Sequence, residues 1–296
     1  MKKLGLRGLI ASIAISFAVG GAAAKDIVVG GKNFTEQQIM AEMTSQLLRS
    51  KGFTVDKRDG LGTAPLRQAQ EAGQIDIYWE YTGTSLITFN KITEKLDPAA
   101  TYAKIKELDA AKGLVWLTPS RANNTYGIAM RKDDAAAKGI ATLSDLAAKI
   151  GGGETLSFGC NAEFYARVDG LKPLEQAYGF EFGRENVKRM DTGLVYQALK
   201  DSQLDTGLVF ATDGRIPAFN FVVLKDDKGY FPNYALTPVI RKEVLDGSPE
   251  LADILNALSA KLDDAIMARL NASVDVDKRS VEEVATGFLT AESFLK

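Results

Sequence analysis

Hydrophobic and polar positions follow two alternating patterns along the chain, one typical of strands and one typical of helices. Residues 26–31 form a short β-branched run that ends in two glycines. Ile39, Met43 and Leu47 then recur every four residues until Gly52. This spacing predicts a strand followed by an amphipathic helix that stops at the glycine.

The start of that helix carries a candidate capping box, with Thr35 followed three residues later by Gln38. Residues 66–72 predict a second helix and residues 75–80 a second strand. Alternating strands and helices predict an α/β fold with a mostly parallel sheet. From Ser248 onward the spacing is helical, and we expect this part to wrap back onto the first half. The apolar residues with that spacing are Leu251, Ile254, Leu255, Leu258 and Leu262.

The second half of the chain repeats the first at low similarity, at a shift of 129 residues. Chance coincidence of a common helix and strand rhythm is the alternative. Duplication predicts two similar α/β lobes that face each other across a cleft. The matched pairs are Gly30 with Gly159, Gln74 with Gln203, Ile75 with Leu204, Asp76 with Asp205 and Tyr81 with Phe210.

The amino-terminal residues predict an export signal. Lys2, Lys3 and Arg7 precede an apolar run over residues 9–24 that ends in small residues. This is the pattern of a signal peptide over residues 1–24, with cleavage near Ala24. A membrane anchor is the alternative, but the run is short for a span. We therefore expect a periplasmic, soluble monomer.

Composition narrows the function classes. The formal net charge is −2 with acids and bases scattered throughout, so no nucleic-acid partner is expected. The sequence has no histidine, which removes Ser-His and Cys-His pairs and histidine metal sites. Cys160 is the only cysteine, and we expect it to be a small buried residue. No enzymatic activity, cofactor or metal is expected; a hydrolase built on Asp213 or Glu80 is the alternative.

Candidate ligand contacts come from the rule that ligands of open α/β sheets lie beyond the carboxyl ends of the strands. Tyr126 and Tyr234 lie at loop ends as well, where aromatic residues are poor core candidates. Together with Tyr81 and Phe210 they predict an aromatic cage for a trimethylammonium group, each face contributing about 0.5 to 2 kcal/mol. The alternative is that each ring packs against its own lobe. The residues that the strand-end rule selects are Lys32, Tyr81, Thr84, Asn161 and Phe210.

Two cations near the same edge predict a partner carboxylate on the ligand. Lys32 lies beside a helix N-terminus, Arg167 can act as a bidentate fork, and Thr84 adds a hydroxyl. The alternatives are a surface pair of Arg167 with Glu163 and a solvated loop position for Lys32. Two buried cations without a carboxylate would be unfavourable, so the pair favours a zwitterion over choline.

Five stretches of the sequence resemble the substrate-binding proteins of osmoprotectant ABC importers, which take glycine betaine, choline, carnitine or related compounds. They occur in the same order and spacing as in that family, and the resemblance spans nearly the whole mature chain. The stretches are GKNFTE from Gly31, EYTGT from Glu80, RVDGL from Arg167, TDGRI from Thr212 and LKDDK from Leu224.

The resemblance implies a two-lobed periplasmic binding protein fold of the type II-like class, with a mostly parallel, helix-flanked sheet in each lobe. It implies a hinged cleft that closes on the ligand, and a partner ABC permease in the inner membrane with its ATPase. Phe210 stands where the family often has tyrosine. The resemblance places Tyr81, Tyr126 and Tyr234 at cage positions and Lys32, Thr84 and Arg167 at carboxylate-binding positions.

We predict that lobe 1 consists of residues 25–122 and 236–296 and lobe 2 of residues 123–235. Hinges are expected near residues 118–125 and 232–238, where prolines punctuate the chain. Two other interpretations stay open. The same fold can serve choline or another amino-acid-like zwitterion, and the chain can be a sensor or chaperone subunit.

Overall fold

The computed structural model describes residues 26–296, so the predicted signal peptide lies outside the described residues. Within that range the strands form two five-stranded sheets. The strands are β1 (Asp26–Lys32), β2 (Thr54–Leu61), β3 (Ile77–Tyr81), β4 (Leu114–Trp116), β5 (Tyr126–Arg131), β6 (Phe158–Cys160), β7 (Val187–Arg189), β8 (Thr206–Phe210), β9 (Phe221–Val223) and β10 (Leu236–Arg241).

Helices flank both sheets. A π-helix over Ser85–Phe89 and a 3₁₀ turn over Arg184–Asn186 complete the helical segments. The α-helices are α1 (Thr35–Ser50), α2 (Thr63–Glu71), α3 (Thr82–Thr84), α4 (Pro98–Ala110), α5 (Lys132–Lys138), α6 (Leu143–Gly151), α7 (Ala162–Ala166), α8 (Leu171–Tyr178), α9 (Thr192–Lys200), α10 (Arg215–Ala218), α11 (Lys242–Gly247), α12 (Glu250–Ser259), α13 (Asp264–Asp275) and α14 (Val281–Ala291).

The two sheets have the same strand arrangement. The first has the order β2-β1-β3-β10-β4 and the second the order β7-β6-β8-β5-β9. In each described sheet the three strands at one side are parallel, and the fourth strand, β10 or β5, is antiparallel to both of its neighbours. The predicted α/β fold is confirmed. The sheets are mixed, because one strand in each is reversed while the other four share a direction.

The predicted internal repeat is visible in these elements. At the shift of 129 residues, α2 falls on α9 and β3 falls on β8, with identical lengths. The repeated aspartates also do the same work: Asp76 accepts a hydrogen bond from the backbone N–H of Val28 at 2.8 Å, and Asp205 accepts one from Ser157 at 2.8 Å. The first bond ties the residue before β3 to β1, and the second ties the residue before β8 to the residue before β6.

Two segments connect the sheets, residues 117–125 between β4 and β5 and residues 224–235 between β9 and β10. They touch in an antiparallel bridge between Asn123 and Ala235. The predicted lobe boundaries fall within these connections. The predicted second hinge extends into β10, so its last three residues belong to a strand.

The carboxyl-terminal helices pack against the first sheet, as predicted. Leu251, Leu255 and Leu258 of α12 are fully buried. Burying a leucine side chain stabilises a fold by about 1.5–3 kcal/mol. The helix α1 lies against β1 and β2 and is covered by α13 and α14. This packing fixes the position of the α1 N-terminus, which faces the gap between the sheets.

The predicted capping box at the start of α1 is wrong. Thr35 is the first helical residue, and Phe34 precedes it in extended conformation without a side-chain cap. The Thr35 hydroxyl donates to Asp275 at 2.8 Å. The Thr35 hydroxyl therefore bonds to a residue of α13 and not to the backbone at the start of its own helix.

Candidate functional site

A cavity lies between the two sheets, at the edge where the parallel strands end. Lys32 ends β1, Tyr81 ends β3, Phe210 ends β8, and Asn161 follows β6. The reversed strands begin at this edge, which brings Tyr126, the first residue of β5, to the same place. All seven predicted site residues line this cavity, together with Asn33, Phe34, Thr63, Asn124, Asn161, Glu163 and Thr192.

The aromatic side chains form a connected group around the Tyr126 ring. Its centroid lies 5.2 Å from that of Phe210 and 5.3 Å from that of Tyr234, the latter edge-on at 75°. Phe34 stacks on Phe210 at 5.5 Å and faces Tyr81 at 6.3 Å. The structure therefore brings the four predicted rings together, from both sides of the gap.

Phe34 is an aromatic lining residue that sequence reasoning missed. It lies two residues beyond the end of β1 and immediately before α1. The strand-end rule selects Lys32 alone in this loop. Extending it to the helix start would have selected Phe34 as well.

Two of the tyrosines predicted for the cage are more buried than their loop-end positions indicate. Tyr81 and Tyr234 are 5 % and 1 % exposed and belong to an apolar cluster under the first sheet. Each hydroxyl donates to a buried carboxylate, Tyr81 to Glu36 and Tyr234 to Asp169, both at 2.7 Å. The expectation that such aromatics are poor core candidates is wrong here, because the carboxylates satisfy hydroxyls that burial would otherwise leave unpaired.

Lys32 is a buried ion-pair member. It is 2 % exposed, and its Nζ lies 2.5 Å from Oε1 of Glu80 and 4.9 Å from the Tyr81 ring centroid. The alternative of a solvated loop charge is wrong. Glu80 is held in turn by the Tyr78 hydroxyl at 3.1 Å and by the Tyr81 N–H at 2.7 Å.

Arg167 is buried and already paired. Its Nε and Nη2 donate to the two oxygens of Asp169, each at 2.6 Å, and Nη1 donates to Glu163 at 3.1 Å. The alternative pair with Glu163 is therefore present, although Arg167 is not on the surface. Across the gap, Nη2 reaches the Thr84 hydroxyl at 3.5 Å. The Arg167 guanidinium carbon also lies 5.6 Å from the Tyr126 ring centroid.

These pairings overturn one argument from the sequence. The preference for a zwitterion depends on Lys32 and Arg167 lacking a carboxylate until the ligand supplies one. Each instead faces a carboxylate of the protein itself, Glu80 for the lysine and Asp169 for the arginine. With Glu163 added, three carboxylates surround two cations. The electrostatics of the cavity therefore suit a cation, and the basic pair by itself no longer favours a zwitterion over choline.

Glu36 lies behind the Tyr81 ring and is buried. Its Oε1 accepts hydrogen bonds from Tyr81 at 2.7 Å and from Asn124 at 2.9 Å. Its Oε2 accepts from Asn271 at 3.2 Å and from the hydroxyl of Thr212. Burial raises the pKa of Glu36, and these hydrogen bonds partly oppose that shift. Sequence reasoning missed this residue because its partners are distant in the chain.

The cavity is narrow where the rings meet, with about 30 Å³ of space for the centres of water molecules. By that measure about 10–15 Å³ holds one water. Past Phe34, Asn161 and Thr192 it opens into a wider cleft of about 730 Å³. Entry to the ring-lined part therefore runs through this cleft.

The expectation that Cys160 is a small buried residue is confirmed. Cys160 is fully buried, and burial raises the pKa of its thiol to about 12. Among residues 26–296, no group of three or more histidine, cysteine, aspartate or glutamate side chains is placed to hold a metal ion. Over the same range, the helices are too short or too polar to cross a membrane.

Comparison with known proteins identifies the family. The family model described as the substrate-binding domain of ABC-type glycine betaine transport systems matches residues 25–291. The chain belongs to this family. The resemblance found in the five sequence stretches is thereby confirmed. As a substrate-binding protein of an ABC importer, the chain is not an enzyme.

Individual relatives cover nearly the whole chain. A glycine-betaine-binding protein of Pseudomonas aeruginosa is 47 % identical over 296 residues, which are 98 % of this chain and 95 % of the relative. The glycine betaine-binding protein YehZ of Escherichia coli is 34 % identical over 283 residues, 93 % of each protein. A crystal structure of a glycine betaine/carnitine/choline ABC transporter component is 30 % identical, covers 91 % of this chain and 99 % of its own, and superposes with a TM-score of 0.74. The two-lobed fold of the substrate-binding protein is thereby confirmed.

Proposed function

We propose that this substrate-binding protein captures a quaternary-ammonium zwitterion such as glycine betaine, with the cationic head in the cage of Tyr81, Tyr126, Phe210 and Tyr234. One observation carries the proposal: four aromatic rings from both sheets converge on one cavity. The names of two relatives, both glycine-betaine-binding proteins, support the same ligand.

The cage suits a quaternary ammonium because such a group has no N–H to donate. Hydrogen bonds cannot hold it, so attraction to ring faces must, at about 0.5 to 2 kcal/mol per face when desolvated. Glu80, Glu163 and Asp169 add negative charge around the same cavity. A cation is therefore favoured both by the rings and by the surrounding carboxylates.

The carboxylate of a betaine has candidate donors in Lys32, Thr84 and Arg167. An ammonium group has three donors, and Lys32 directs one of them to Glu80. A guanidinium has five N–H groups, of which Arg167 uses some on Asp169 and Glu163. Both cations therefore retain donors for a ligand carboxylate while their charge stays compensated.

A second candidate ligand is choline, or another cation without a carboxylate. One observation favours it: Lys32 and Arg167 carry their own carboxylate partners, so an uncharged ligand tail leaves no bare cation. A solved relative is named for glycine betaine, carnitine and choline together. Both candidate ligands would use the cage. They differ in whether Lys32, Thr84 and Arg167 donate hydrogen bonds to a carboxylate of the ligand.

The chain works outside the inner membrane as a monomer, after removal of residues 1–24, and delivers its ligand to the permease of an ABC importer with its ATPase. Residues 25–122 and 236–296 form one lobe and residues 123–235 the other, and the connections between them bend as the cleft closes. Closure is expected because one ligand meets groups from both lobes.

Calorimetric titration of the mature protein with glycine betaine tests the proposal. Tyr126→Ala removes the central ring, and we expect a loss of about 1–2 kcal/mol or more, which is roughly a five- to thirtyfold weaker affinity. Phe219→Ala is the matched control. Phe219 lies under the Lys200 ammonium at 4.4 Å but lines neither the cavity nor the cleft. If the Tyr126 variant and the wild type bind glycine betaine with equal affinity, the rings of this cavity do not form a cage for the ligand.

A further inference from the structure

The buried carboxylate of Glu36 joins parts of the chain that belong to different lobes. It accepts from Tyr81 at the end of β3, from Asn124 in the first connection and from Asn271 on α13. Its fourth partner is Thr212, two residues beyond β8 of the second sheet. Glu36 does not line the ring cavity, so ligand contact does not explain its burial.

A second contact lies beside the first and joins the same two parts. Residues 212–215 dock on α13, the helix that covers α1. Asn271 donates to the backbone oxygen of Thr212 at 2.9 Å, and the Arg215 guanidinium lies 3.2 Å from Asp275. Asp275 also accepts from Thr35 on α1. Two side chains of α13 thus bind the loop after β8.

Gly214 makes this docking close. A Cβ atom at this position would lie 2.5 Å from the backbone oxygen of Ala268 and 2.5 Å from the Cβ of Ala272, both on α13. The backbone of Gly214 has φ −67°, which every L-residue adopts. The glycine is therefore required by the neighbouring helix and not by its own conformation.

We infer that Glu36 is a positioning residue for ligand binding, which fixes the closed arrangement of the lobes by holding Tyr81 and Thr212 on one carboxylate while residues 212–215 clasp α13. We name this contact, made by Glu36, residues 212–215, Asn271 and Asp275, the clasp. The inference rests on the proposed function, because the closed arrangement matters through the ligand it surrounds. The clasp lies outside the cage, so it sets affinity through the population of closed protein.

The decisive variant is Gly214→Ala. Its added methyl group overlaps backbone and Cβ atoms of α13, which cannot move aside as a flexible side chain would. We expect glycine betaine affinity to fall by about tenfold or more, because the binding-competent closed state becomes a minor one. Gly151→Ala is the matched control, since a Cβ there meets no heavy atom within 4 Å. We expect it to bind as the wild type does.

A second readout separates closure from ordinary structural damage. Spin labels at Lys51→Cys and Lys188→Cys report the distance between lobes. Both positions are exposed; Lys51 follows α1, which packs on the first sheet, and Lys188 lies on β7 of the second sheet. In ligand-free protein, Gly214→Ala is expected to shift the distances to longer values while the melting temperature stays near that of Gly151→Ala. Thr212→Val is expected to act in the same direction, and Thr212→Ser to restore the wild-type distances.

The outcomes separate the inference from the proposed function. If Gly214→Ala binds glycine betaine like the wild type, or leaves the distances between labels unchanged, the clasp is refuted. If the wild type binds no quaternary ammonium compound, the proposed function fails, and the ligand-free distances still decide whether the clasp holds the lobes together.

Discussion

At the scale of single residues, the site combines a group of converging ring faces with hydroxyls that donate to carboxylates. Tyr81 lines the cavity while its hydroxyl donates to Glu36, and Tyr234 does the same with Asp169. A ring held at its polar end loses little conformational freedom when a ligand arrives. This preorganisation reduces the entropy loss on binding.

Arg167 separates the two candidate ligands. We expect Arg167→Gln to weaken glycine betaine binding by about tenfold or more, because a charge-assisted hydrogen bond to the ligand carboxylate is lost. Choline binding is expected to stay equal or become tighter, because Asp169 and Glu163 lose their cation. Calorimetry with both ligands measures the difference. Arg58→Gln, a change in an exposed ion pair, serves as the control.

Equal losses for the two ligands would show that Arg167 supports the site through Asp169 and Tyr234 without touching a carboxylate. That result would be compatible with the cage and would favour choline over glycine betaine as the ligand.

The strand-end rule located Lys32, Tyr81, Thr84 and Phe210 because topology alone decides which edge of a sheet faces a cleft. It missed partners such as Glu36, whose hydrogen bonds reach Asn124, Thr212 and Asn271 far along the chain. A sequence pattern indicates the periodicity of a helix or strand and its local capping. It does not indicate which distant carboxylate will accept a hydrogen bond from a given hydroxyl. For the same reason the pairs of Lys32 with Glu80 and of Arg167 with Asp169 were not predicted.

At the scale of elements, a buried ion pair anchors α2 to α4. Arg67 donates to both oxygens of Asp109, at 2.9 and 2.7 Å, and Asp109 is fully buried. The Trp116 indole N–H adds a third bond at 2.8 Å. Burial opposes ionisation of Asp109, but the hydrogen bonds, led by those from Arg67, lower its pKa to about 2.

Asp109→Asn is expected to destabilise the protein by about 3–5 kcal/mol at pH 7, because a buried cation loses its partner. The folded-state pKa lies below the model-peptide value of about 3.9. The stabilisation is therefore present above pH 4 and is lost as the pH falls towards 2. Urea unfolding of both proteins across this range measures it. A difference that stays constant down to pH 2 would contradict the assignment.

The periodicity of apolar residues predicted α1 and α2 close to their observed bounds, and a helical carboxyl-terminal part without bounds for its helices. It did not predict the reversed strands β5 and β10. Alternation of side chains is the same in a parallel and an antiparallel strand, so direction depends on the connection that delivers the strand. Here β5 and β10 each follow a segment that crosses from the other sheet.

At the scale of the whole molecule, duplication explains why the cavity is lined by equivalent edges. The repeat places Tyr81 and Phe210 at the same position in two sheets of the same order, and both rings line one cavity. In the proposed function, a cage built from equivalent strand ends closes only when the lobes approach. Affinity is then a property of lobe arrangement as much as of ring chemistry.

The central feature of the proposed function is that ring faces hold a methylated ammonium group. Calorimetric titration of the mature protein with glycine, N,N-dimethylglycine and glycine betaine tests it most directly, since the carboxylate is common to all three. We predict that affinity rises with methylation and is highest for glycine betaine, because an N–H buried among rings has no acceptor. Glycine or dimethylglycine binding as tightly as glycine betaine would contradict the claim.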